Sequence, residues 1–118
     1  MTILESISEF RAAAILKADF ATPSPKDHAL HKRMAVAFTC LASEGSPGLA
    51  AFKSMLFDES PHVRGWVAAQ LLSQGDEDAV TVMEQLAAEP GIRGFKAVTT
   101  LKEFRVGRLR SPFTNDPD

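Results

Sequence analysis

Apolar residues recur along this chain at the spacing of one helix face, and polar punctuation divides them into segments. Ile3, Ile7, Phe10 and Ala14 follow the 3.6-residue period of a single buried stripe. Ahead of them, Thr2-x-x-Glu5 has the form of a capping box, in which the hydroxyl and the carboxylate each satisfy an orphan amide at a helix start. Pro23 and Pro25 end that segment, because proline removes a donor and bars the preceding residue from helical backbone. A second helix is predicted from about Lys26 to Ser43, stopping at Gly45, a natural left-handed cap. Ser46-Pro47 and Ser60-Pro61 each set a capping hydroxyl before a proline at the first helical position, predicting helices over about 47–57 and 61–74. Gly75 ends the latter. Asp76 caps the next, about 76–88, with Glu77 and Asp78 against its positive end. Glu89-Pro90-Gly91 turns the chain into a sixth helix, about 91–105.

No run alternates at period two, so no strand is predicted. Six helices joined by short loops make sequential helices antiparallel neighbours. Residues 1–106 are expected to form one helical domain, followed by a loose polar C-terminal tail over 107–118 that carries two prolines.

Within this pattern lies a repeat. Val63-Arg64-Gly65-Trp66-Val67-Ala68-Ala69 returns 29 residues later as Ile92-Arg93-Gly94-Phe95-Lys96-Ala97-Val98, with Pro61 matching Pro90 and Leu72 matching Leu101. Arg33, Ala37 and Leu41 form a weaker copy upstream. A period near 30 residues over one helix pair is the signature of a stacked solenoid. The helix over 61–74 is apolar nearly all round, as a helix buried between others must be. On the last helix, Gly94, Phe95, Ala97, Val98, Leu101 and Phe104 share one side against a charged opposite side, as on a terminal, capping helix. Gly65 and Gly94 sit at equivalent points, and close approach of a neighbouring helix is the expected reason.

The segment from Leu49 to Leu72, with its Asp58-Glu59-Ser60-Pro61-His62-Val63-Arg64 turn, resembles a HEAT repeat. The whole chain is similar to a small bacterial family of HEAT-like helices of unknown function. The resemblance implies an all-α fold, a short α-α superhelix of about six helices. It also implies that Asp58, Pro61 and Arg64 build the structural turn, with Asp58 and Arg64 joined by a hydrogen bond. The second copy keeps Arg93 but has Ala87 in place of the aspartate, so an unbroken ladder is not expected.

Composition narrows the picture. The 118 residues, 45% hydrophobic and 24% charged, can bury one core and are too apolar for a disordered chain. No apolar run nears the ~20 residues of a membrane span, and no basic segment precedes an apolar one at the N-terminus. The single cysteine forms no internal disulfide, which fits a reducing cytoplasm. Net charge is −2, unfavourable to nucleic acid, but it is unevenly spread. Asp58, Glu59, Asp76, Glu77, Asp78, Glu84 and Glu89 crowd one stretch, and Arg93, Lys96, Lys102, Arg105, Arg108 and Arg110 the next.

Candidate chemistry is sparse. Cys40 and His31 lie nine residues apart, on opposite sides of one helix, which excludes a dyad there; Cys40 reads as a small buried hydrophobe. His28 and His31 share a face without clustered thiols or carboxylates enough for a metal, and read as solvated. Asp76-Glu77-Asp78 lacks the spacing of a calcium loop. No catalytic residue, metal or cofactor is therefore assigned.

The expected function is a protein–protein interaction module without catalysis. Alternatives are an immunity or inhibitor protein neutralising a basic toxin or enzyme, or a weak nucleic-acid binder; a homo-oligomer is also open. The candidate interaction surface is a stripe at helical spacing: Trp66, Gln70 and Ser73, then Phe95, Thr99 and Lys102. Ala35, Thr39 and Ala42 are its upstream counterpart.

Overall fold

Local caps set the element boundaries. In the computed structural model, which describes residues 1–20 and 22–114, the elements are α1 (Ile3–Lys17), α2 (Pro25–Ser43), α3 (Ser46–Ser54), a 3-10 turn (Met55–Phe57), α4 (Pro61–Ser73), α5 (Glu77–Ala87) and α6 (Gly91–Arg105). Helix covers 75% of the described residues, and there is no strand among them. The Thr2 hydroxyl accepts from the Glu5 amide at 3.1 Å, and the Glu5 carboxylate accepts from the Thr2 amide at 2.8 Å, completing the capping box. Ser24, Ser60 and Asp76 cap α2, α4 and α5 through their side chains. At α3 the expectation fails. Gly45, at φ 70°, both ends α2 and precedes the new helix, and Ser46 lies inside α3 and caps nothing. Without a Cβ, Gly45 takes the left-handed backbone at little cost, so one residue can serve both helices.

α1 packs along α2, and α3 with its 3-10 turn closes against both. α4 packs on α1, α5 and α6, and α5 lies against α6. One core runs through all of them; Phe10, Met34, Leu41, Phe52, Leu56, Val63, Val67 and Leu72 are essentially inaccessible. No described helix is long and apolar enough to cross a membrane.

The turn before α4 is built differently from the expected ladder. Arg64 does support it, but through backbone: its Nη1 donates to the carbonyls of Asp58 (2.7 Å) and Glu59 (3.2 Å). The Asp58 carboxylate belongs instead to Arg11 of α1, which reaches it with Nε at 2.5 Å and Nη2 at 3.0 Å. The Ser60 amide adds a third bond to that carboxylate. Pro61 occupies the first turn of α4, where its missing N–H is harmless.

The largest departure follows α6. The segment expected to be loose folds back over the helices as far as it is described, and Phe113 is only 6% exposed. Its ring enters an aromatic cluster, edge-on to Phe10 at 5.3 Å and tilted against Phe38 and Trp66 at 5.9 Å each. The last four residues of the expected tail lie outside the described residues.

Candidate functional site

The C-terminal turn of α1, the first half of α4 and the exposed side of α6 enclose a groove of about 650 Å³. Its floor is apolar, with Met83, Leu86 and Ala97 among the buried residues that line it. Ile92 and Phe95 stand at the rim, each 69% exposed. In the repeat they are the equivalents of Val63, which is inaccessible, and Trp66, which is half-buried. The reason is positional. α4 packs against α1, α5 and α6, whereas the main helix contacts of α6 are with α4 and α5.

At the opposite wall, Lys17 of α1 is almost enclosed. Its Nζ donates to Asp27 Oδ1 at 2.7 Å and lies 5.3 Å from the centre of the Trp66 ring, a cation–π contact. The Lys17 ammonium holds the Asp27 carboxyl below its ordinary value, its hydrogen bond outweighing the effect of burial. Thus the charges deepest in the groove are committed to each other. On the far wall, Arg93 is tied to Glu89 one turn away through Nε at 2.7 Å. The Thr99 and Thr100 hydroxyls donate to carbonyls of their own helix, so they present methyl groups more than free donors. His62 is half-buried and lines the same space.

The structure divides the candidate stripe. Trp66, Phe95 and Thr99 line the groove together. Gln70 does not; it is 1% exposed and its Oε1 accepts from Ser111 Oγ at 2.5 Å. Ser73 is half-buried with its hydroxyl on the Gln70 carbonyl, and Lys102 is exposed outside the groove lining. Sequence reasoning missed Lys17, Asp27 and Ile92. The Lys17–Asp27 pair spans the Pro23-Pro25 break, and only the packing of α1 on α2 makes them neighbours.

Two other expectations change. Cys40 is half-buried and not fully enclosed. His28 is exposed, but His31 is not solvated: its Nε2–H donates to the Pro112 carbonyl at 2.6 Å and its ring packs on Trp66 and Phe113. Among the described residues no group of three or more His, Cys, Asp or Glu is placed to hold a metal ion. Comparison with family models, curated proteins and solved structures found no match to this chain.

Proposed function

We propose that this chain is a protein-interaction module that holds a segment of another protein in the groove between α1, α4 and α6. The observation that carries this is the exposure of Phe95 and Ile92 beside an apolar floor, each 69% accessible. Large apolar side chains contiguous with an apolar cavity mark binding surfaces, and aromatic anchors seated in pockets dominate interface energetics. The groove volume also falls in the range of built ligand sites, of order 300–1,000 Å³.

The proposal includes a short HEAT-like stack as the scaffold. The 29-residue recurrence and the packing of α4 beside α6 support it, and so does the use of Arg64 to brace the turn between paired helices. The first pair departs from a simple stack, in that its contact with α4 comes mainly from α1 and not from α2.

An inhibitor of a basic target is the weaker reading. Much of the acidic stretch is spent internally, Asp58 on Arg11, Asp76 and Asp78 on Lys53, Glu89 on Arg93 and Glu84 on Arg105. A nucleic-acid role is weaker too, since net charge is −2 and the large exposed side chains Ile92 and Phe95 at the groove are apolar.

A photo-reactive phenylalanine analogue placed at position 95 of the full chain tests the proposal in native cells. Phe57, 78% exposed and outside the groove lining, is the control position. A discrete protein adduct is expected from 95 and none of the same mass from 57. Equal adducts from both positions, or none from 95, would count against the groove.

A further inference from the structure

We propose that the space between α2 and α4 is a second recognition site, for a bent protein segment of hydroxyl–proline–aromatic sequence. In this chain Ser111-Pro112-Phe113 occupies the site in cis and holds it closed. The inference rests on the reading of the chain as a protein-binding module but concerns a different space, so either can fail alone.

Three neighbouring residues of the docked segment are each met by a different kind of contact. The Ser111 hydroxyl donates to Gln70 Oε1 at 2.5 Å. The Pro112 carbonyl accepts from His31 Nε2–H at 2.6 Å. The Phe113 ring sits among Phe10, Phe38, His31 and Trp66, with centroid separations of 5.3 to 5.9 Å. A space that needed only filling would favour apolar side chains throughout. A buried glutamine and a half-buried histidine turned into an apolar gap are costly unless something arrives to bond them. They read a hydroxyl and a main-chain carbonyl of a bent segment, whose Ser111 Oγ also accepts from the Phe113 amide at 3.2 Å and the Thr114 amide at 3.1 Å. Proline suits that role because it has no N–H to leave unmatched and its φ is already fixed.

A short link joins the docked segment to α6. Gly107, at φ 74°, ends α6, and the Arg108 amide closes the helix on the Glu103 carbonyl. Leu109 packs partly buried against the core, and Ser111 to Phe113 add the hydroxyl, carbonyl and ring contacts. A short tether gives such a segment an effective concentration of order millimolar, so the cis occupant competes with any partner carrying the same chemistry.

The probe is a fluorescein-labelled peptide of residues 108–114, Arg-Leu-Arg-Ser-Pro-Phe-Thr, titrated into the full chain and read by anisotropy. The Phe113→Ala chain should bind it about tenfold or more tightly than the wild type, because the competitor has lost its anchor. Ser111→Ala, which removes the bond to Gln70 and the two amide bonds of the segment's own turn but keeps the Phe113 anchor, should fall between the two. A peptide with alanine in place of its phenylalanine should bind none of them. A Phe113→Ala chain that keeps its helical circular dichroism yet binds no better than wild type overturns the proposal. If that variant unfolds, the Ser111→Ala chain decides: binding no tighter than wild type overturns it. Sedimentation of the wild type is expected to show monomers. A concentration-dependent dimer that releases the Phe113 contact to a second copy would overturn occupation in cis.

Discussion

Gly65 and Gly94 occupy the same place in the repeat, and their surroundings differ. A Cβ on Gly94 would fall 1.8 Å from the Glu89 carbonyl oxygen, in the turn that leads into its own helix. A Cβ on Gly65 would meet only Leu86 Cδ1, at an ordinary 3.7 Å. Close approach of a neighbouring helix therefore explains neither: at Gly94 the obstacle is local backbone, and at Gly65 there is room. Gly65→Ala should raise stability by up to about 1 kcal/mol, the helix-propensity difference between the two residues. Gly94→Ala should lower it by about 1–3 kcal/mol, since a backbone oxygen cannot step aside cheaply. Urea midpoints of the two variants would test the contrast, and equal shifts would contradict it. Ser6 is a related case. Its hydroxyl is buried with no partner among the described residues, so Ser6→Ala should be neutral or stabilising by about 1 kcal/mol.

Between elements, the link from α1 to the turn before α4 runs through Arg11 and Asp58. Two hydrogen bonds join a one-third-exposed guanidinium to a nearly enclosed carboxylate. A double-mutant cycle of Arg11→Ala with Asp58→Ala should give a coupling of about 1–2 kcal/mol, after allowance for solvent screening of the arginine. The cycle of Arg64→Ala with Asp58→Ala should be additive to within about 0.5 kcal/mol, because Arg64 holds the Asp58 carbonyl, which survives the substitution. The opposite ranking would restore the aspartate–arginine ladder implied by the repeat. α4 and α6 differ in the same way. Trp66→Ala should cost about 3 kcal/mol, since its ring packs on His31, Lys17 and Phe113. Phe95→Ala should cost less than about 1 kcal/mol, having little packing to lose.

At the scale of the whole molecule, carboxylates tie distant parts of the chain together, and they set its response to acid. The Asp58 carboxyl is held below its ordinary 3.8 chiefly by the Arg11 hydrogen bond, with the Ser60 amide helping and burial opposing. Lys17 does the same to Asp27. The Asp76 carboxyl is also lowered; burial is the largest single influence and opposes this, but Lys53 and the Asp78 amide together outweigh it. A carboxyl whose folded-state value is depressed stabilises the fold fully above its unfolded value, and this is lost as pH falls through the folded value. The urea midpoint should therefore be steady from neutral pH to about pH 4 and fall below it. Asp58→Asn should start lower and decline less steeply. A variant whose midpoint falls in parallel with the wild type would show that Asp58 takes no part in the transition.

Whatever depends on neighbours a few residues away can be read from the order of residues alone. The capping box at Thr2, the caps at Ser60 and Asp76, and the stops at Gly45 and Gly75 were legible because capping is a bond between residues two to four apart. Helix count and the edge position of α6 followed from those stops and from the apolar periodicity. Ser46 was misplaced because a glycine and a serine could each begin α3, and the choice depended on how tightly α2 turns back. The groove was half legible. Trp66, Phe95 and Thr99 share a helical stripe, but Lys17 and Asp27 join them only when α1 packs on α2. The fate of the segment after α6 was settled by packing. Polar, proline-containing sequence looks solvated when read alone, because nothing local holds it. Its partners are His31, 81 residues from Pro112, and Gln70, 41 residues from Ser111. No periodicity encodes contacts at such separations; they exist because the helices, once packed, leave a space between α2 and α4 with the width of one aromatic ring.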